Sequence, residues 1–499
     1  MKRFTLHYIL CILCAALLTV QTQCVTPLET ALSSCLTKAG VRNILDGDKT
    51  WAQETTPFQL RLKPDPSAIA FPTNRKQIAA ALRCAIKNNA KVSCIGGDHS
   101  FAAFGYGKPG TLVINLGAFT RIVSFKEGEK SLFTFEGGIR VGPAAKWLWD
   151  NHGRHFPHAR AGHVGLTGSA YGGGFGSTTR FLGTTLDNIE AVEYMAYNGT
   201  VIKATASNNS DLLWATKGAG PSMGVILTMT IRTWKPKYQR AVNFTLNLGD
   251  VDLETGTQAL LTIQDFALKG APDEWALRWK LTSPPYSGVG YYYEDPAKFD
   301  QIMQPLMQKL PGGSKLTKHE YDFFTLDSYI SPGLDEPNGG DSPGRAFYVQ
   351  SLTMTATQPF THDLARTLYK HTTYAFKRKD MKKSGYLDLW GGFSRNTKDT
   401  ETAAIYGNNL WLIRWQADAV KEWPADGVDY LKKQMLPFEK ALRDAGYPLR
   451  GYVNYPDTQL TFPEWRERLY GMNFDRLQNI KRSVDPQGLF TSNDQSIPV

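Results

Sequence analysis

The placement of glycine constrains this chain more than any other feature. Residues Cys94-Ile95-Gly96-Gly97-Asp98-His99-Ser100-Phe101 run a short apolar strand into a Gly-Gly turn that delivers a histidine at a fixed point. Glycine has no side chain to hold a ligand off and tolerates positive φ, so such a turn lets backbone N–H groups approach a phosphate. A second stretch, from Gly162 to Gly176, carries Gly165, Gly168, Gly172, Gly173 and Gly174 as well, a density that puts backbone against something large and flat. The segment from Asp211 to Ile226 repeats the theme with Gly218, Gly220 and Gly224, and Tyr452-Val453-Asn454-Tyr455-Pro456-Asp457 sits near the carboxyl end. No G-x-G-x-x-G follows the first strand, which removes the main support for a nicotinamide-binding Rossmann reading.

The chain opens with Lys2 and Arg3, continues as an apolar run from about Tyr8 to Val20, and turns polar at Gln21-Thr22-Gln23. That layout is a cleavable secretory leader over residues 1–24, too short to span a bilayer and followed by no charged stop-transfer cluster. Secretion makes a disulfide plausible among Cys35, Cys84 and Cys94, the cysteines beyond the leader and its cleavage point. Sequons at Asn198, Asn208 and Asn243 fit glycosylation. The formal net charge of +10, or +8 without Lys2 and Arg3, is scattered, with no basic block interleaved with aromatics. Nucleic acid is therefore not an expected partner, nor is a membrane. Nearly 500 residues exceed what one hydrophobic core usually serves, so two domains are expected. The sequence suggests no metal site.

From Ser67 the pattern is α/β. Phe71-Pro72-Thr73-Asn74 is a turn and cap signal before a helix whose apolar residues Ile78, Leu82, Ala85 and Ile86 recur at helical spacing, and a strand follows from Lys91 to Ile95. Short strands are expected at 111–116 and 131–136, then a helix from Gly142-Pro143. Between about Ala241 and Arg450 the runs 274–281 and 410–417 alternate in a way that suggests an antiparallel sheet with one face open to a cavity or solvent. The loop 331–344 is rich in glycine and proline, and helix returns after Arg450.

The order and spacing of these motifs resemble the berberine-bridge-enzyme-like branch of the vanillyl-alcohol-oxidase flavoproteins over nearly the whole mature chain. Within that branch, His99-Ser100-Phe101-Ala102-Ala103-Phe104-Gly105 and Ala346-Phe347-Tyr348-Val349-Gln350-Ser351-Leu352-Thr353 look most like secreted fungal oligosaccharide oxidases and dehydrogenases. The resemblance implies an α+β fold: a PCMH-type FAD-binding domain over 25–238, a substrate domain with a large antiparallel sheet over 239–449, and a tail over 450–499 that rejoins the FAD domain. It also implies FAD cradled by Gly96, Gly97, Asp98, Ser100, Val164, Gly165, Thr167, Gly168, Gly173, Gly224, Val225, Ile226 and Tyr455, and attached through His99. Ala161 stands where many relatives place a second, cysteinyl link, so a single covalent bond is expected. Cys35 and Cys84 occupy the positions of a family disulfide, which leaves Cys94 as a buried free thiol.

The same resemblance makes Tyr455 the base that takes a proton from the substrate hydroxyl and Asp388 its assisting carboxylate. A tyrosine with the ordinary pKa of about 10 is a poor base and needs such help. Arg414 stands where relatives carry Gln or Glu; remaining protonated, it is suited to a sugar hydroxyl, an anionic group or the reduced flavin, or it pairs with Asp418. Phe101, Arg278, Tyr348 and Tyr386 are expected to line the substrate cavity, since sugar faces favour aromatic planes and forked donors. Val164 stands where relatives control oxygen access. The implied activity is oxidation of the anomeric hydroxyl of an oligosaccharide to a lactone by a monomer, with O2 or a quinone-like acceptor regenerating the flavin. Two other readings stay open: the same flavin acting on an aromatic alcohol or secondary metabolite, and a flavin- or carbohydrate-binding protein without turnover.

Overall fold

The computed structural model describes residues 26–282 and 286–499, so the leader expected over 1–24 lies outside the described residues. The strands of the described residues form three sheets. The first contains β1 (Arg42–Ile44), β2 (Ala68–Phe71), β3 (Lys91–Ile95) and β4 (Thr111–Asn115) in the order β1-β2-β4-β3, with β2 and β3 parallel to β4. Parallel neighbours need a crossover. Helix Arg75–Lys87 provides it: Asn74 accepts from the Gln77 N–H at 3.1 Å, and Ile78, Leu82 and Ala85 are buried at helical spacing.

The second sheet, β5 (Ile122–Lys126), β6 (Leu132–Glu136), β7 (Ile189–Met195), β8 (Val201–Thr205) and β9 (Val225–Arg232), is antiparallel in the order β5-β6-β9-β7-β8. Residues after Arg450 pack onto both of these sheets. Trp465, Tyr470, Phe474 and Leu477 join Phe133, Phe135, Met229 and Ile231 in one core, while Leu489 and Phe490 join Ala70, Leu112 and Ile114 in another.

The third sheet is antiparallel throughout: β10 (Arg240–Asn247), β11 (Trp275–Lys280), β12 (Ser287–Tyr292), β13 (Lys315–Asp322), β14 (Phe347–Thr355), β15 (Met381–Lys383), β16 (Tyr386–Leu389) and β17 (Asn409–Ala419). They run β13-β10-β12-β11-β16-β17-β14, with β15 also on β17. Side chains alternate faces along a strand. One face carries Trp275, Trp279, Leu387, Trp411, Ile413 and Trp415, buried in a core with Leu260, Ile263, Leu364, Leu368, Leu431 and Phe438 from helices Leu253–Lys269, His362–Tyr369 and Gly427–Asp444. The other face carries Arg278, Tyr386, Asp388 and Arg414, of which Arg278, Tyr386 and Arg414 are partly exposed although β17 is otherwise buried from Asn409 to Ala417.

Cys35 and Cys84 are disulfide-bonded with Cα atoms 5.7 Å apart, as the resemblance implied, joining helices Pro27–Lys38 and Arg75–Lys87. The bridge closes a 49-residue separation. Its loop-closure entropy corresponds to about 4 kcal/mol. Replacing both cysteines by serine should lower denaturant-unfolding stability by roughly that amount, and a loss below about 1 kcal/mol would contradict this account. Among the described residues Cys94 is free, and although the residue as a whole is partly exposed, desolvation pushes its thiol up to about 12. Asn198 and Asn208 are exposed. Asn243 is not a glycan site: it is buried in β10, where its Nδ2 donates to the Gly290 carbonyl at 3.2 Å. Among the described residues no helix is long and apolar enough to cross a membrane.

Candidate active site

The chain leaves β3 at Ile95 and turns through Gly96-Gly97 directly against Val164-Gly165. A Cβ on Gly97 would lie 2.1 Å from the Gly165 nitrogen, and one on Gly165 would lie 2.6 Å from the Gly97 nitrogen, so each glycine is required by the approach of the other backbone. Two loops, from the first and second sheets, are thereby locked together. Asp98 adopts φ +49°, and its carboxyl accepts from the Tyr106 hydroxyl at 2.6 Å; burial pushes that carboxyl up to about 7. Ser100 Oγ accepts from the Ala102 and Phe104 N–H groups at 3.3 and 3.1 Å. The loop so fixed aims His99 onto Phe58, with ring centres 3.7 Å apart, and sets its Nε2 3.1 Å from Nε2 of His163. Burial, with His163 and the guanidinium groups of Arg345 and Arg140 adding to it, pulls the His99 imidazole down to about 3, so it is neutral at physiological pH.

From His99 a run of rings leads to the third sheet. Phe101 stacks on Tyr455 at 5.3 Å with planes 5° apart, and Phe347 meets Phe101 edge-on at 4.9 Å. Tyr455 is half-buried, and its hydroxyl has no hydrogen-bond partner among the described residues. Arg414 lies 5.5 Å from the centre of the Tyr455 ring and 4.8 Å from that of Tyr386, and Arg278 lies 4.7 Å from the centre of the same Tyr386 ring. Strand register brings these residues together: Arg278 faces Asp388 across β11 and β16, and Tyr386 faces Arg414 across β16 and β17.

Arg278 holds Asp388 in a two-pronged pair, Nε to Oδ1 at 2.7 Å and Nη2 to Oδ2 at 3.2 Å, and Arg160 Nη2 stands 3.7 Å from Oδ1. Burial alone would raise the Asp388 carboxyl, but Arg278, Arg160 and Arg414 hold it below the usual carboxylate range. Asp388 thus touches guanidinium groups and not Tyr455. Any assistance it gives passes through the arginines.

A family of FAD binding domains matches residues 66–205, and the family described as berberine and berberine like matches residues 451–498. A chitooligosaccharide oxidase of Gibberella zeae is 30% identical over 494 residues, 96% of this chain and 97% of that one. The chain belongs to the berberine-bridge-like FAD-linked oxidoreductases. An FAD-linked oxidoreductase of Metarhizium anisopliae, dpmaF, is 30% identical over 486 residues, 95% of this chain and 92% of that one. Among solved structures, a chitooligosaccharide oxidase superposes with TM-score 0.85 at 30% identity, covering 94% of this chain and 99% of that one. A xylooligosaccharide oxidase in complex with xylobiose, from Myceliophthora thermophila C1, does so with 0.85 at 26% over the same shares. The α+β, PCMH-type fold implied by the sequence motifs is the fold of this berberine-bridge-like oxidoreductase.

The residues fit FAD. Among the described residues the backbone N–H groups of Gly96, Gly97, Asp98 and His99 donate to no protein acceptor. Thr167 Oγ1 is buried without a partner, the helix Leu166–Tyr171 that contains it has no side-chain cap, and a Cβ on Gly168 would meet open space. Together they are donors and room for a pyrophosphate. Four expected members act differently. Gly173 has φ +139°, and its Cβ would fall 2.5 Å from the Tyr452 ring, so the flat surface it lies against is that tyrosine. Val225 and Ile226 bury their side chains in two separate cores and, with Gly224, offer only backbone.

Tyr348 does not line the cavity. It lies on the helix-covered face of β14, and its hydroxyl donates to Asp457 Oδ1 at 2.6 Å; its neighbour Phe347 faces Phe101 instead. Arg414 does not pair with Asp418, which is held by Arg345 at 2.9 Å, Ser384 and Gln416. Sequence reasoning missed Arg160, Phe58, His163 and a buried brace beneath the same loop. In that brace Asp327 Oδ2 stands 3.0 Å from His158 Nε2 and 3.3 Å from His155 Nδ1. The remaining ring nitrogens meet the Ala159 carbonyl and Thr178 Oγ1. Every imidazole nitrogen there already has a partner, so the cluster serves to hold the 158–163 loop to helix Phe323–Ile330. The adjacency of His158 to Arg160 was a visible signal; Asp327, 169 residues away, was not.

Proposed function

We propose that this oxidoreductase is a secreted, monomeric enzyme that oxidises the anomeric C1 hydroxyl of an oligosaccharide to the lactone, with FAD attached through His99. The observation that carries this reading is Tyr455, half-buried, stacked on the Phe101 of the His99 loop on one side and faced by Arg414 on the other. Bound FAD supplies the two-electron acceptor that takes hydride from C1. Tyr455 takes the hydroxyl proton, and the Arg414 guanidinium stabilises negative charge developing on the phenol oxygen. Tyr386 presents an aromatic plane to the sugar, beside Arg278, whose fork is held by Asp388. The lactone released hydrolyses to an aldonic acid. The proposed domains are 25–238 and 450–499 around FAD and 239–449 around substrate, with Val164 beside the flavin where O2 or a quinone-like acceptor regenerates it, and with glycans on Asn198 and Asn208.

The neutral imidazole of His99 has a lone pair ready for attachment, and Ala161 offers no sulfur for a second link. Acid-precipitated protein should therefore keep its yellow colour, and His99→Ala should release all flavin to the supernatant. Covalent incorporation should be flat between pH 5 and 8, because an imidazole with a pKa of about 3 stays neutral over that range; a rise centred near pH 6.5 would contradict it. Anaerobic flavin bleaching with cello-, chito- and xylo-oligosaccharides against benzylic alcohols tests the substrate: bleaching by the alcohols alone sinks the sugar reading.

A further inference from the structure

The substrate wall holds more positive charge than it can neutralise. Arg160, Arg278 and Arg414 converge around one carboxylate, Asp388, which is completely buried and already paired in two-pronged fashion with Arg278. Arg160 is left with a 3.7 Å approach to Asp388 and only a tenth of its side chain exposed; its Nε and Nη1 are buried with no partner, and so is Nε of Arg414. The neighbouring acids are committed elsewhere: Asp418 to Arg345, and Asp457 to Tyr348. The remaining lining of Phe175, Tyr291, Tyr386 and Tyr455 presents ring faces to Arg160 and Arg414 and brings no anion. A buried guanidinium without a counter-charge is costly, and its planar fork matches a carboxylate.

Resting on the sugar-oxidation reading, we propose that the substrate carries a carboxylate, as a uronic-acid-containing oligosaccharide does, and that Arg160 and Arg414 bind it. Neutral oligosaccharides can accept hydrogen bonds from those donors but would leave their charge uncompensated.

Binding to the flavin-loaded enzyme, by calorimetry, and anaerobic flavin bleaching should be measured on three matched pairs. These are cellobiouronic acid (glucuronic acid linked to a reducing glucose) against cellobiose, glucuronic acid against glucose, and 4-(hydroxymethyl)benzoate against benzyl alcohol. The acidic sugar should bind and bleach at least tenfold better than its neutral partner. Arg160→Gln and Arg414→Gln, made separately so that one misfolded variant does not end the test, should each cut that ratio by about tenfold. Ratios within twofold of one, or ratios unchanged in both variants, overturn the proposal. So does a shift of the flavin midpoint potential in the variants with the acidic-to-neutral ratio intact, since the arginines would then serve the cofactor. If no sugar bleaches the flavin while 4-(hydroxymethyl)benzoate does, outperforming benzyl alcohol through the same arginines, the carboxylate proposal stands and the sugar reading falls.

Discussion

Tyr455→Phe should lower the rate of flavin reduction by substrate about 10²- to 10⁴-fold, the range a positioned general base contributes. At 1.36 kcal/mol per tenfold, that is roughly 3–5 kcal/mol of barrier. The substitution isolates the hydroxyl. Phenylalanine keeps the stack on Phe101 at 5.3 Å and the edge contact with Tyr452 at 4.9 Å, and the hydroxyl it removes leaves no protein group unpaired. Stability and flavin content should therefore be unchanged while anaerobic stopped-flow bleaching slows. A rate within threefold of the parent would remove Tyr455 from the chemistry.

A second large effect is expected in stability rather than rate. Asp388→Asn deletes the anion between Arg278 and Arg160, and breaking one side of a buried pair costs about 3–5 kcal/mol because the surviving charge has no partner. Arg278→Met combined with Asp388→Leu should recover most of that loss, since apolar replacement of both partners removes the uncompensated charge. The pH dependence follows from the direction of the Asp388 shift. Burial would raise it, but the three guanidinium groups hold it below the ordinary value. A carboxyl depressed in the folded state contributes stability above its unfolded pKa of about 3.9 and loses it as pH falls through the folded value. The gap between parent and Asp388→Asn in urea unfolding should hold from pH 8 to about pH 5 and close only in stronger acid. A gap already narrowing at pH 6 would mean that the carboxylate is not held ionised.

Much of the cofactor side was legible because its determinants are contiguous. The Gly96-Gly97 turn, the cap signal over 71–74, the strand at 91–95 and the glycines around Gly165 act through backbone conformation and near neighbours, and they appear in the structure where the sequence placed them. Even there the partner of a glycine was hidden. Gly97 answers to Gly165, and Gly173 to the Tyr452 ring, contacts made by segments far apart in the chain.

The substrate side was legible in type but not in facing. Pleating turns successive side chains to opposite faces, and which face is buried depends on the layer that covers it. Hence Tyr348 turned out to lie in the helix-covered core and Phe347 against Phe101 on the opposite face, and the sequon at Asn243 lay inside β10. Charge placement depended on the same folding: Arg278, Asp388 and Arg414 are brought together by strand register, and Arg160 reaches them from a loop braced by Asp327.

The amino-acid sequence alone was enough for the flavoprotein family, the Gly-Gly turn presenting His99 and, through the family resemblance, the Cys35–Cys84 bridge, because these are carried by local backbone preferences and by motif order. Tertiary structure alone decided which side of each strand is wet and which charges share one carboxylate, because burial and electrostatics belong to the space between distant segments and not to either segment.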